Sequence, residues 1–271
     1  MPGRVSIPLE GTSDFMSAAQ SPTPEPRLAV LGARTQPLDN HGQLVVRADE
    51  GENRLVFASD PGGMAAEQYR LIRRKLVERY PEGGALLVTS PQSGEGKTLT
   101  STNLAWCLAE SGARTLLAEM DLRSPSLSKL LGYSPQIATM TSLLEDDPAK
   151  GTVYQVNGMS FYVAMSDARR DASGLISSSR IARFLGWAKE NYKWVVLDSP
   201  PLFPFSDTPE LSAASDFTIL VVRAGMSARA LVSRSIQLLG SRLQQVILNE
   251  ASECADSPYR YLAAHYGTKK R

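Results

Sequence analysis

The most constraining stretch of this 271-residue chain is Leu86-Leu87-Val88-Thr89-Ser90-Pro91-Gln92-Ser93-Gly94-Glu95-Gly96-Lys97-Thr98, an apolar run that passes through a glycine-rich turn into Gly-Lys-Thr. The apolar run reads as a strand buried on both faces. Behind the turn, Leu104, Ala105, Leu108 and Ala109 recur at helical spacing until Gly112 breaks the pattern. Strand, turn and helix in that order are the context a phosphate cradle needs. Small residues at Ser93, Gly94 and Gly96 let the backbone N–H groups face inward, where the helix adds the positive end of its dipole. A Cβ at the glycines would collide with the ligand or forbid the turn. Lys97 reaches the β- and γ-phosphates, and the Thr98 hydroxyl suits one corner of an octahedral Mg²⁺ shell. The expected nucleotide-contacting run is therefore Ser93, Gly94, Glu95, Gly96, Lys97, Thr98 and Leu99, and the ligand it implies is a purine triphosphate. Pro91 stands where the usual eight-residue pattern begins with glycine.

At 42% hydrophobic residues the chain is long enough for one full-sized α/β core plus a tail or linker. A formal net charge of +1 and a pI near 7.7 give no overall electrostatic reason for nucleic-acid binding. Cys107 and Cys254 lie far apart, and His41 and His265 are the only histidines, so no transition-metal spacing emerges. This usage fits a reducing compartment, with Cys107 in the core. No run approaches about 20 apolar residues, and the N-terminus lacks a basic segment followed by an apolar one. The expectation is a cytosolic protein whose membrane attachment comes through a partner.

Residues 1–42 carry Pro2, Pro8, Pro22, Pro24, Pro26 and Pro37 among Ser, Thr and Gly without periodicity, and read as a mobile leader. A folded domain is expected over 43–252 and a tail over 253–271. A short β-like piece (Leu44, Val45, Val46, then Leu55, Val56, Phe57) opens the folded part. Glu67 to Tyr80 reads as a helix, with Tyr69, Ile72, Leu76 and Tyr80 on one face. Glu67, Arg70 and Arg73 recur every third residue, and a solvated Glu67–Arg70 pair accounts for the first two at a few tenths of a kcal/mol. Further strands are expected at Leu86–Thr89, Thr115–Ala118, Trp194–Leu197, Phe217–Val222 and Gln245–Leu248, with helices around 98–111, 177–192 and 228–240. The alternation predicts a doubly wound, mostly parallel α/β sheet with its ligand at the carboxyl ends of the strands.

Mg²⁺ needs carboxylates at strand ends beside the loop. Trp194 to Leu197 ends in Asp198, and Thr115 to Ala118 ends in Glu119 and Asp121, which share a side while the chain stays extended. Either acid group alone is also explained as a strand-end turn. Behind a phosphate loop in this order, the metal assignment prevails.

Taken together, these residues resemble the bacterial tyrosine kinases of capsule and exopolysaccharide synthesis, whose catalytic domain is a deviant P-loop ATPase. The resemblance covers roughly Ala65 to Asn249 and rests on four ordered motifs: Glu67-Gln68-Tyr69-Arg70-Leu71-Ile72-Arg73, Ser93 to Thr98, Met120-Asp121-Leu122-Arg123-Ser124-Pro125, and Leu197-Asp198-Ser199-Pro200-Pro201. It implies an ATP- and Mg²⁺-dependent autokinase that forms a homo-oligomeric ring through Glu67, Arg70 and Arg73. Phosphate would pass to Tyr259, Tyr261 and Tyr266 of a neighbouring subunit and loosen the ring by charge. A separate transmembrane chain-length regulator is the implied activator. On this site the resemblance places Lys97 and the loop amides on the phosphates, Mg²⁺ between Thr98 and Asp198, and Asp121 beside the incoming tyrosine hydroxyl, while the strand-end reading adds Glu119 and Asp121 to the metal set. Asn249 is an adenine contact by resemblance or else a strand-end turn, and Tyr259 and Tyr261 serve as phosphoacceptors or else pack a terminal helix. Glu119 stands where the family usually has Asp, and its added methylene moves the carboxylate by about 1.5 Å.

Two other readings remain. A partitioning or septum-site ATPase switch shares the fold, but its signature lysine position is Gln92 here and it lacks the Glu67-Arg70-Arg73 helix. A weakly catalytic ATP-binding assembly module of a secretion complex is motivated by Glu119 and by only three tail tyrosines.

Overall fold

The computed structural model describes residues 41–46, 54–133, 139–145, 147–168 and 172–251. Its strands are β1 (His41–Leu44), β2 (Gly84–Thr89), β3 (Thr115–Glu119), β4 (Val153–Val156), β5 (Phe161–Ala164), β6 (Trp194–Asp198), β7 (Phe217–Arg223) and β8 (Leu243–Asn249). The helices are α1 (Val56–Ser59), α2 (Met64–Arg79), α3 (Lys97–Glu110), α4 (Leu127–Leu130), α5 (Thr139–Glu145), α6 (Ala172–Leu175), α7 (Ser178–Asn191), α8 (Asp207–Ala214) and α9 (Arg229–Leu239). Among the described residues the strands form one sheet in the order β1-β4-β5-β3-β6-β2-β7-β8. Every pairing is parallel except β4 with β5.

The central strands are apolar throughout because helices cover both faces of the sheet. Along β2, Leu86 and Val88 join Leu76 of α2 and Leu104, Ala105 and Leu108 of α3 on one side. The alternate residues Ala85 and Leu87 pack with Ile181, Phe184 and Ala188 of α7 on the other. The strand period of two thus sends neighbouring residues into two separate cores. The same division runs along β3 and β6, and it fixes their register: Val88 lies opposite Asp198, and Asp198 opposite Glu119. The carboxyl ends of β3, β6 and β2 therefore stand side by side.

All five strands expected in the body of the chain are present, with ends shifted by one or two residues, and so are the helices at 98–111, 177–192 and 228–240. The first β-like piece divides. His41–Leu44 pairs with β4, whereas Val56–Ser59 is helical. Tertiary contact overrides the β-branched and aromatic composition there: Asn103 of α3 accepts from the Val56 amide at 2.9 Å and donates to the Arg54 carbonyl at 3.1 Å. The leader up to residue 40 and the tail from residue 252 lie outside the described residues, and with them Tyr259, Tyr261, Tyr266 and Cys254. No described helix is long and apolar enough to cross a membrane.

Candidate functional site

The turn after β2 is built around two glycines in the left-handed region, Gly94 at φ +86° and Gly96 at φ +88°. A Cβ on Gly96 would run into the side-chain amide of Asn249. Only glycine satisfies both demands. The turn is also latched from beneath. Glu95 is fully buried, and its carboxylate accepts from the Arg223 amide at 2.8 Å and from the Ser227 hydroxyl. Its backbone carbonyl accepts from Asn249 Nδ2 at 3.0 Å. Glu95 is thus a brace of the loop, holding it to β7 and β8.

Gly94, Gly96, Thr98, Leu99 and Asn249, all expected to contact nucleotide, line one cleft of about 570 Å³. With one Nδ2 hydrogen given to the Glu95 carbonyl, Asn249 keeps its second N–H as a donor and its side-chain oxygen as an acceptor. The cleft also takes in residues that the sequence did not single out: Arg54, Ser126, Lys129, Arg223 and Glu250. Glu250 pairs with Arg223 at 2.5 Å and with Arg54 at 3.5 Å, closing one end with charge. Ser126, just past the Asp121-Leu122-Arg123-Ser124-Pro125 motif, is the one of these that proximity to a motif could have flagged.

Lys97 opens α3 behind the turn and is largely buried. Its Nζ lies 3.3 Å from Asp121 Oδ2, while Asp121 Oδ1 accepts from the Ser124 amide at 3.1 Å. Beside this pair stands Asp198, wholly buried, with no hydrogen-bond partner on either oxygen. Burial pushes its carboxyl up to about 6, against the pull of the Lys97 ammonium and the nearby Thr98 hydroxyl. A buried carboxylate without donors is costly unless a cation meets it. The donor set of Asp198 oxygens and Thr98 hydroxyl is hard and oxygen-only, which fits Mg²⁺.

Glu119, next to Asp198 in register, is occupied differently. Oε1 accepts from the amides of Ser126 and Leu127 at 2.6 and 2.7 Å, and Oε2 from the amide of Ser166 at 2.8 Å. Burial pushes this carboxyl up to about 7, while the three amides pull it down and Asp198 adds to the rise. Glu119 is thus held by backbone amides at the start of α4 and after β5, and Asp121 by Lys97 and the Ser124 amide, whereas the oxygens of Asp198 have no such partner. Among the described residues no group of three His, Cys, Asp or Glu is placed to hold a metal ion.

Glu67, Arg70 and Arg73 do lie together on α2. Arg70 pairs with Glu67 at 2.5 Å as expected, but it also grips Glu110 of α3 in a two-pronged contact at 2.7 and 3.1 Å. Arg73 donates to the Cys107 carbonyl at 2.8 Å. The cluster therefore pins α2 to α3. Cys107 is buried as expected, and burial pushes its thiol up to about 11.

A family model described as the CobQ/CobB/MinD/ParA nucleotide binding domain matches residues 86–265. Among curated proteins, the tyrosine-protein kinase YwqD of Bacillus subtilis is 26% identical over 231 residues, covering 82% of this chain and 95% of that protein. The tyrosine-protein kinase CpsD of Streptococcus agalactiae is 25% identical over 210 residues, covering 76% and 91%. Among solved structures, the kinase domain of the Escherichia coli tyrosine kinase ETK superposes with a TM-score of 0.67 at 25% identity, over 81% of this chain and 93% of that one.

Proposed function

Since the chain belongs to the CobQ/CobB/MinD/ParA nucleotide-binding family, we propose that it is an ATP- and Mg²⁺-dependent tyrosine autokinase of capsule or exopolysaccharide production. The observation that carries the reading is the pair of unpartnered, wholly buried Asp198 oxygens beside Lys97 and Thr98 at the mouth of a two-glycine turn. The kinase names of similar proteins supply the acceptor. In this reading the amides of Ser93 to Thr98 and the Lys97 ammonium hold the triphosphate, with Leu99 and Asn249 toward the base. Asp198 and Thr98 hold Mg²⁺, which when bound offsets charge on the transferring phosphoryl group. Lys97 exchanges its contact with Asp121 for the phosphates, and the released carboxylate accepts the proton of the incoming tyrosine hydroxyl. Transfer then depends on positioning and charge compensation, with no covalent enzyme intermediate.

Because His41 and Gly42 belong to β1, the proposed limits are a leader over 1–40, the catalytic unit over 41–252, and a tail over 253–271 with Tyr259, Tyr261 and Tyr266 as acceptors. Assembly into a ring uses the α2 face of Glu67, Arg70 and Arg73. A transmembrane chain-length regulator is the proposed activator, holding the protein at the inner membrane face, and nucleic acid is no partner. The engagement of Glu119 by backbone favours one second reading, an ATP-binding assembly module that transfers phosphate poorly.

The test is to incubate the full chain with ATP and Mg²⁺, with and without its membrane activator, and probe phosphotyrosine. Labelling that disappears in Lys97→Met and in the combined Tyr259, Tyr261 and Tyr266 to Phe variant supports the kinase. Firm ATP binding with unlabelled protein under both conditions supports the module.

A further inference from the structure

Strand β8 forms one edge of the sheet, and its two faces are covered unequally. Ile247 packs against the core shared by α2 and α3. Val246 and Leu248 alternate with it and so point the other way. They lie in register with Leu220 and Val222 of β7, which pack with Leu239 of α9. One strand further out that cover stops, for Val246 is 45% exposed and Leu248 59%. A third apolar residue joins them from α9. Arg234 stacks on Phe203, in the loop after β6, at 5.1 Å, which turns its flank of α9 toward the middle of the sheet. Ile236, two residues on and nearly opposite around the helix, therefore faces the β8 edge, and it is 43% exposed. One such residue is ordinary on a surface. A sheet face and a helix flank that leave three on one side have room for a further element.

The chain supplies such an element where it is needed. It leaves β8 at Asn249, next to Leu248, and continues beyond the described residues as Ser252 to Arg271. In that sequence Ser257 and Pro258 are a pair with which helices start, and Gly267 is a residue that stops them. Lys269, Lys270 and Arg271 then suit the negative end of the helix dipole. Between these signals Tyr259, Leu262, Ala263 and Tyr266 recur at i, i+3, i+4 and i+7, an apolar stripe, while Arg260, Tyr261 and His265 fall on the other sides. The connection over 252–257 reaches about 20 Å, enough to turn back beside β8. As a helix, 258–266 covers about 13 Å, within the roughly 23 Å of that seven-residue strand.

We propose that residues 258–266 dock as a helix on the outer face of β8 and α9 of their own chain, with Tyr259, Leu262, Ala263 and Tyr266 against Val246, Leu248 and Ile236. Docking covers Tyr259 and Tyr266 and leaves Tyr261 in solvent. One consequence rests on the kinase reading, an order among the three acceptors: Tyr261 is open to a neighbouring subunit while the helix is docked, and Tyr259 and Tyr266 become so only on its release. The docking itself does not depend on that reading.

Hydrogen exchange read by mass spectrometry on the full chain without nucleotide tests the docking. The amides of 259–266 should exchange about tenfold slower in the wild type than in Leu262→Asp, which breaks the stripe, or in the combined Val246→Asp and Leu248→Asp variant, which charges the receiving face. Exchange as fast in the wild type as in these variants overturns the docking, and so does slow exchange that survives the charged face. If the combined variant does not fold, Ile236→Asp on α9 takes its place. Slow exchange that is lost on dilution gives the face to the tail of a second copy, and slow exchange seen only with phosphatidylglycerol vesicles gives the segment to lipid. Both overturn docking within one chain. Mapping of phosphotyrosine with ATP, Mg²⁺ and the membrane activator then reads the order. Tyr261 should label about tenfold faster than Tyr259 and Tyr266 in the wild type, and at a similar rate in the charged-face variant. Equal labelling of all three while exchange is slow overturns the facing assigned to the helix. Slow exchange in a protein that labels no tyrosine upholds the docking and counts against the kinase reading alone.

Discussion

The ends of β3 and β6 carry two fully buried carboxylates opposite each other in register, and the surroundings treat them in contrary ways. Glu119 at the end of β3 is saturated by three backbone amides, whereas neither oxygen of Asp198 at the end of β6 has a hydrogen-bond partner and only the Lys97 ammonium and the Thr98 and Ser101 hydroxyls nearby pull on its charge. Burial alone therefore does not distinguish a structural acid from a functional one. What distinguishes them is whether the protein has already answered the charge. An answered carboxylate ties together the backbone that answers it, and an unanswered one costs stability until a cation arrives.

The substitution with the largest expected effect is Asp198→Asn. ATP turnover should fall on the order of 100-fold or more, because the charge proposed to hold the metal is gone. Thermal unfolding without Mg²⁺ should be unchanged or shifted upward, since the amide carries no unpaired charge. A variant that instead melts several degrees lower would make Asp198 a structural acid like its neighbour, and the contrast would break.

Glu119→Ala should behave in the opposite sense. It strands the buried amides of Leu127 and Ser166 and frees that of the exposed Ser126, at a cost of about 3 kcal/mol read by urea unfolding. Glu119→Asp should lose less than half of that, because a shorter carboxylate still meets some of the donors. Wild-type stability in Glu119→Ala would show that these bonds contribute nothing, leaving Glu119 free for the metal after all.

Titration sharpens the comparison next. Both carboxyls titrate higher in the folded protein, at about 6 for Asp198 and about 7 for Glu119, than near 4 in the unfolded chain. Between about pH 4 and pH 7 the folded state thus holds more protons, so unfolding free energy falls as pH rises through that window. The loss from the two carboxyls together should be on the order of 5 kcal/mol in metal-free protein. Mg²⁺ with ADP should flatten the slope by stabilising the ionised Asp198, and Asp198→Asn should remove that response to Mg²⁺. A slope that Mg²⁺ and ADP leave intact would count against Asp198 as the cation's partner.

The sequence disclosed these strand ends but not their division of labour. Apolar runs that must be buried on both faces are legible without tertiary knowledge, which is why β2, β3, β6, β7 and β8 were recognisable. The strands β4 and β5 have only four residues each and β4 meets its neighbours in opposite senses, so neither length nor period announces them. The helical turn at Val56 depends on Asn103, 47 residues away. The glycine turn was readable because its φ values are a local demand. The bracing of that turn by Glu95 was not, since its partners Arg223 and Ser227 lie on another strand and the loop after it. For the same reason Glu119 and Asp198 looked alike as acids closing apolar strands, because what separates them arrives from Ser126, Leu127 and Ser166.

The smallest expected effect tests whether the two ends communicate. Glu119 holds the Ser126 amide, and the Ser126 hydroxyl donates to Thr98 Oγ1 at 3.1 Å, so the saturated acid reaches the edge of the unsatisfied one through a single residue. The Ser126 bond takes one lone pair of the Thr98 oxygen and leaves the other for a cation. Ser126→Ala keeps the amide on Glu119 and deletes only that bond. Stability should hold within about 0.5 kcal/mol, because Ser126 is exposed. ADP affinity should weaken about threefold with Mg²⁺ present and stay the same in its absence, as freeing the Thr98 rotamer matters only to the metal. Equal affinity loss with and without Mg²⁺ would mean that Ser126 acts on the nucleotide from the cleft wall, and that the clamp on β3 ends before it reaches Thr98.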